Sequence, residues 1–497
     1  MESNEALEKI GKGSMIVFTG FLAGTVFQYL YKIILARFLG PESFGVFVLG
    51  IAIIQSATAI ALLGLNESVP RFISFHRGKN ELEKIRRTAS TGLLITIFSS
   101  ISFSLLLFVL SDTIALTVFE EAALVTPLKI LAISIPALAS IKFFLSLFQG
   151  QQDAVYSTLM NDFLWSGAIV LLVTGSVSLG YSVEGAAAAY LAAAFLSLPI
   201  IAYTYLRKYD HGFDFSDLNT RKLLVFSWPL FLISALSILT RWYDVLMLGW
   251  LTGSVDSGIY DVAYSIAGYG ALLIEVVGFM FMPVISELYA KKNTKRIREI
   301  YDLATRWMTL TTLPVIAGML IFPREIIQIL FGSDYVGAAL PLSILSLAFL
   351  FRVFKGPAEA TFISMGDNRK LLAGKTVTSV LIVSLNLLLI PIYGTKGAAI
   401  STLIAFIAGD TLLLYYMRRK LGILPYDLKF LQIFVSGAIA SLAVLIMEGA
   451  LNPGLIGSVL LGAVLVTIYF TLLYLIGGLK RREVNKLKRV VLERLNG

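Results

Sequence analysis

Fourteen apolar stretches of 21 to 29 residues account for most of this 497-residue chain, and they constrain its fold more tightly than any motif does. They lie at 14–38, 43–64, 88–110, 123–149, 159–179, 183–206, 223–251, 257–284, 301–322, 337–364, 370–393, 397–417, 430–450 and 455–478. A soluble helix of that length carries a charged face, whereas a bilayer takes about 20 apolar residues in a row and satisfies their backbone only as helix or closed barrel. Charged residues make up 15% of the chain against roughly 25% in soluble domains. The expectation is an all-α integral membrane protein with 14 transmembrane helices. Pro136, Pro314 and Pro357 fall inside runs, which spanning helices tolerate. The first run follows Glu2, Glu5, Glu8, Lys9 and Lys12 and exceeds a signal-peptide core, so it reads as retained.

Basic residues sort by side. The N-terminus, the even-numbered loops and the C-terminal tail hold 31 Lys and Arg; the odd-numbered loops hold Arg37, Arg324 and Lys396, only 3. By the positive-inside rule both termini are cytoplasmic, which an even helix count permits. The net charge of +9 is then topological, expressed in segments such as "HRGKNELEKIRR" and "KKNTKRIR" that face anionic lipid, and implies no nucleic-acid partner. Residues 480–497 place Val484, Leu487 and Leu495 among seven basic residues, as in an interfacial amphipathic tail.

The chain repeats itself at a distance of 212 to 216 residues. "LGPESFGVF" aligns with "TGSVDSGIY", setting Gly40 on Gly253, Gly45 on Gly258 and Phe47 on Tyr260. Pro70 meets Pro283, "PLKIL" meets "PLSIL", Gly150 meets Gly366, and "YSVEGAAAA" meets "YGTKGAAIS". Six helices per copy is an even number, so the copies enter the membrane in the same direction, as in transporters whose substrate sits between two lobes. The domains expected are a six-helix lobe at 1–210, a second at 211–420, two further helices at 421–479 and the basic tail at 480–497. "GFLAG" at 20 is a small-xxx-small pattern that favours close helix contact.

Apart from Arg37, Lys370 and Lys375, which lie toward run ends and are counted with the loops, seven basic residues stand within the runs. Lys129 and Arg306 are near enough to run ends to reach the interface. Lys32, Lys142, Arg241, Arg352 and Lys355 are not, and they occupy the first and fourth helices of each repeat. At about 2.5 to 3.5 kcal/mol apiece, five unpaired cations would cost on the order of 12 to 17 kcal/mol, as much as a whole fold is worth. The same four runs contain only Asp244, three residues from Arg241, and Glu359, four from Lys355. Two acids do not neutralise five cations, so a hydrated cationic cavity that selects anions is expected, with Arg gripping phosphate and Lys supplying a point charge. Gln28, Tyr31 and Trp242 are candidate sugar contacts. Asp244, Glu275 and Glu359 are candidate pairing or coupling acids, and Asp162, Asp261, Asp410 and Glu448 join them as candidates for proton or sodium coupling.

Several chemistries are excluded. There is no cysteine, hence no disulfide or thiolate metal site, and His76 and His211 are the only histidines, both in expected cytoplasmic loops. "GKGS" at 11 lacks the upstream glycine spacing of a nucleotide-binding loop. No acidic metal-binding pair with a sizeable outer domain is written as a membrane glycosyltransferase would require. Transport without cofactor and without ATP hydrolysis remains, with H+ or Na+ as the candidate coupling ion.

The segments "LARFLGPESFGVFVLGIAI", "LGLNESVPRFIS", "DVLMLGWLTGSVDSGIYDVAYSIA", "FMPVISELYAKKN" and "LFGSDYVGAALPLSIL" resemble the polysaccharide-transporter, or Wzx-type oligosaccharide flippase, family across most of runs 1 to 12. The resemblance places the chain beside the lipid II flippases and the MATE multidrug exporters. It implies a plasma-membrane protein that moves a lipid-linked oligosaccharide, on a polyprenyl phosphate or pyrophosphate, from the inner to the outer leaflet through a central cavity with alternating access. It further implies a monomer whose partners are membrane lipids and glycan-assembly enzymes. The five cations match the phosphate's need by their own chemistry rather than by a family motif. A cation-coupled exporter of small organic molecules is the competing expectation, and it would want acidic walls instead.

Overall fold

The computed structural model describes residues 2–209, 213–214, 216, 220–270, 272–422, 426, 428–451 and 454–478, with side chains from residue 19 onward except at scattered positions between 222 and 283. His211, the side chain of Glu275 and the tail at 480–497 lie outside the described residues. The described chain is helical, as its run lengths require. The elements are α1 (Glu2–Ala61), α2 (Leu65–Gly78), α3 (Leu82–Thr113), α4 (Val125–Ile133), α5 (Ile135–Gly150), α6 (Ala154–Thr158), α7 (Ser166–Ser178), α8 (Val183–Lys208), α9 (Thr220–Leu251) and α10 (Ser254–Gly270). They continue as α11 (Leu272–Ala290), α12 (Thr294–Ile321), α13 (Pro323–Leu330), α14 (Ala339–Phe354), α15 (Ala358–Ser364), α16 (Asn368–Tyr393), α17 (Thr395–Leu421), α18 (Leu428–Leu451) and α19 (Leu455–Leu475).

Among the described residues ten helices are long and apolar enough to cross a membrane, and twelve if each of two bent pairs counts as one span, against the fourteen runs in the sequence. The difference has identifiable sources. Thr19–Ala61 counts as one helix, yet Gly40 interrupts it at φ 73°, a left-handed conformation that a residue with a Cβ adopts only under strain, and Pro41 then restarts the helix. The 17 residues of α10 fall short of the ~20 that a bilayer crossing takes.

Breaks elsewhere also follow from the sequence. Pro136 sits in the first turn of α5, where its missing N–H costs nothing, and the axes of Ala122–Ile133 and Ile135–Gly150 meet at 43°. Leu223–Leu236 and Thr240–Leu251, the two arms of α9, differ by 55°. A π-helical stretch, Leu159–Trp165, joins α6 to α7, and the small-residue pattern of α1 packs on it: a Cβ on Gly24 would stand 2.6 Å from that of Asp162.

The chain forms two compact units, one of Met1–Asp261 with Ile382–Ala398 and one of Val262–Leu381 with Ala399–Gly497. Inside the first, Gly45 on α1 and Gly258 on α10 pack backbone to backbone, so that a Cβ on Gly258 would lie 2.9 Å from the Gly45 Cα. These are the two glycines that the repeat aligns. The first unit also joins Asp153 to Lys208 at the end of α8 and to the Tyr209 hydroxyl at 2.6 Å. Within the second, Asp367 is joined to Lys420 at 2.7 Å and to Lys370 at 2.9 Å. Asp153 and Asp367 are 214 positions apart, and Lys208 and Lys420 are 212. The last two helices pack on α12 within the second unit, where Tyr469 donates to the Leu310 carbonyl at 3.0 Å and Gly437 admits the Leu313 side chain.

Two outcomes test these contacts. Gly258→Ala overpacks the glycine contact and is expected to cost about 1 to 3 kcal/mol in thermal unfolding of the detergent-solubilised protein, whereas Gly167→Ala, with open space around it, leaves the midpoint unchanged or slightly higher. The Lys420 and Lys370 ammoniums hold the Asp367 carboxyl below its ordinary value, so its contribution is present above the unfolded carboxylate range and is lost as pH falls through the folded value. Asp367→Asn is therefore expected to lower stability at pH 7 by up to roughly 1 kcal/mol and to match the native protein only once the pH drops below the folded value of the Asp367 carboxyl.

Candidate functional site

A lysine or arginine at mid-helix in lipid has to find an acid, water or a ring, and the structure shows which. Within the first unit, Lys32 on α1 and Arg241 on α9 converge on one carboxylate, Asp261 of α10, at 2.7 and 2.8 Å. The Asp261 side chain is 0% exposed, while those of Lys32 and Arg241 retain 16% and 28%. The guanidinium also lies 4.5 Å from the centre of the Trp242 ring. Asp244, one turn from Arg241, accepts from the Tyr260 hydroxyl at 2.5 Å and from Asn386 at 2.7 Å.

The second unit holds a denser cluster. α14 ends at Phe354, Gly356 takes φ 63°, and Pro357 precedes the restart at Ala358, so Lys355 stands at a broken helix end where a cation suits the dipole. Tyr301 donates to the Lys355 carbonyl, which the break would otherwise leave without a partner. The Lys355 side chain is 1% exposed, and its ammonium meets Glu359 at 2.7 Å and Asp410 at 2.6 Å. Glu359 also takes Arg352 and Lys375, each at 3.3 Å, and the Arg352 guanidinium lies 4.6 Å from the Phe406 ring centre.

Lys142 on α5 is held differently. Its ammonium donates to the Gln55 side-chain carbonyl at 2.9 Å, and the Gln55 amide donates to the Tyr190 hydroxyl at 3.1 Å. Tyr190 is buried, with Trp165 edge-on at 5.6 Å.

The five cations expected from the sequence thus stand in three settings. Lys32 and Arg241 share Asp261, Lys355 meets Asp410 and shares Glu359 with Arg352 and Lys375, and Lys142 donates to an amide oxygen. Asp261 and Asp410, read from the sequence as coupling candidates, are ion-pair partners of these cations. Gln28 is exposed on α1, one turn from Lys32, and Tyr31 is buried. Asp162 is buried and accepts from Asn161 at 2.7 Å, and Glu448 is half-buried. Near run ends, Lys129 pairs with Asp112 at 2.8 Å, and Arg306 is buried and donates to the Gly478 carbonyl at 3.4 Å.

Sequence reasoning missed Gln55, Tyr190, Asn386 and Lys375. Gln55 and Asn386 carry a signal in the sequence, an uncharged polar residue inside an apolar run. Lys375 lies six residues into its run, close enough to the preceding loop to group with it.

Residues 10–289, more than half of the chain, match the family model described as polysaccharide biosynthesis protein, and residues 269–473 match the model for the lipid II flippase MurJ. Over 394 residues the chain is 24% identical to a Shigella flexneri protein carrying the provisional description O-antigen transporter, covering 78% of this chain and 92% of that one. Its fold is that of the inward closed lipid II flippase MurJ, with TM-score 0.75 and 13% identity over 94% of this chain and 98% of the other. It is also that of an inward-facing MATE family multidrug resistance transporter of the MOP superfamily, with TM-score 0.69 and 18% identity over 82% and 98%.

Asp261→Asn would strand Lys32 and Arg241 in the membrane interior without their carboxylate, an expected loss on the order of 3 to 5 kcal/mol. Thermal unfolding in detergent measures it. An unchanged midpoint would mean that the carboxylate does not compensate these cations.

Proposed function

Since this chain belongs to the family of polysaccharide biosynthesis proteins, we propose that it is a flippase, translocating an oligosaccharide linked to a polyprenyl phosphate or pyrophosphate from the inner to the outer leaflet by alternating access. The observation that carries the reading is the set of five cations that the first and fourth runs of each repeat keep at membrane depth against two acids in those same runs, despite the cost. Phosphate is the one part of such a substrate that repays it, and the sugar moves with it through a wet path. The chain is a transporter, not an enzyme. Lys32, Lys142, Arg241, Arg352 and Lys355 are the phosphate-facing set in this reading, and Gln28 and Trp242 are sugar contacts.

The two lobes of the sequence repeat, 1–210 and 211–420, are the bodies whose rocking exchanges access. The backbone contact between the aligned glycines and the matching Asp–Lys pairs support that division. The protein acts in the cell membrane with both termini in the cytoplasm, as a monomer beside the enzymes that assemble the glycan, with H+ or Na+ as the coupling ion if one is used. The MATE likeness gives the alternative of a cation-coupled exporter of small organic molecules the same scaffold, but organic cations are drawn to acidic walls.

Arg241→Gln and Arg352→Gln are each expected to abolish flipping in a complementation assay of surface glycan while expression stays normal. Native glycan levels in both would count against the phosphate assignment. A phosphatase reporter fused to the C-terminus should be inactive, and an active fusion would reverse the orientation.

A further inference from the structure

We infer that Lys142, presented by Gln55 and Tyr190, is the primary phosphate anchor, and that Lys32, Arg241, Arg352 and Lys355 take an anion only in competition with their own carboxylates. The inference rests on the flippase reading and deepens it. Lys142 and Lys355 stand 213 positions apart, at corresponding places in the repeat. Lys355 is clamped by Glu359 and Asp410. The same separation from those acids leads to Ser146 and Ser197, so the first copy keeps the lysine and has neither carboxylate. In place of an acid it offers an amide oxygen at 2.9 Å.

The difference in acceptor decides where an anion goes first. At Lys32, Arg241 and Lys355 an arriving phosphate oxygen replaces a carboxylate oxygen, exchanging one charge-assisted hydrogen bond for another and taking one cation from a buried acid. At Lys142 it replaces or joins a neutral amide oxygen, so a charge-assisted bond is gained and no acid is uncovered. An ammonium donates only, so the Gln55 oxygen faces it and the amide nitrogen faces Tyr190. That nitrogen has a second N–H for the same phosphate. Tyr190 is wedged between Trp165 and Phe47, with ring centres at 5.6 and 6.3 Å, which fixes the orientation of the amide.

The test places a carboxylate where the amide is. Gln55→Glu is isosteric and gives Lys142 the partner it lacks, Lys142→Met removes the charge, and Lys142→Arg keeps it. Equilibrium binding of undecaprenyl phosphate and of uncharged undecaprenol is measured on the full chain in phosphatidylcholine nanodiscs, and repeated with phosphatidylglycerol added. The expected result is a loss of at least tenfold in undecaprenyl phosphate affinity in Gln55→Glu and Lys142→Met, with undecaprenol unaffected, Lys142→Arg close to native, and little competition from phosphatidylglycerol. Native binding by Gln55→Glu together with loss in Arg241→Gln would overturn the Lys142 assignment while leaving the flippase reading standing. Equal displacement by phosphatidylglycerol would overturn it in favour of a general phospholipid site. A native protein that binds phosphate and alcohol alike would overturn both.

Discussion

A cation at mid-membrane is tolerated only if something negative or wet stands beside it, and that requirement organises the structure. Asp261 is fully buried because Lys32 and Arg241 reach it from two other helices. Glu359 and Asp410 are drawn from α15 and α17 to a lysine at a broken helix end. In both clusters one carboxylate is shared by more than one cation. A protein needing only stable spans would have leucine at these places, since exchanging a buried ion pair for apolar packing is often neutral or favourable.

Helix breaks and charges go together. Lys142 follows the bend between α4 and α5, Arg241 follows the 55° bend in α9, and Lys355 stands at the gap between α14 and α15. Interrupted helices release backbone polar groups at membrane depth, where they line sites and pathways in transporters. Pro136, Gly356 and Pro357 thus shape the surroundings of the cations as well as interrupting regular structure.

Much of this was legible in the sequence. Hydrophobic run length alone gave the helical class, because lipid leaves few ways to satisfy a backbone. The five site cations were visible as charges out of place. Their partners were less so, because helical spacing reports neighbours on one helix: it pairs Arg241 with Asp244, whereas Arg241 also reaches Asp261 on the next helix and Asp244 takes Tyr260 and Asn386. The i,i+4 pair of Lys355 and Glu359 was legible for that same reason, and Asp410, 55 positions from Lys355, was not. Gln55 needed the third dimension too, since an amide matters only once an ammonium is known to lie beside it.

The central claim is that membrane-buried positive charge exists to hold a lipid-linked phosphate. Native mass spectrometry of the gently purified protein tests it most directly. The account predicts a retained adduct with the mass of a polyprenyl phosphate or pyrophosphate carrying sugar, absent when the buried cations are neutralised. Adducts consisting only of uncharged lipids or small organic cations would contradict it.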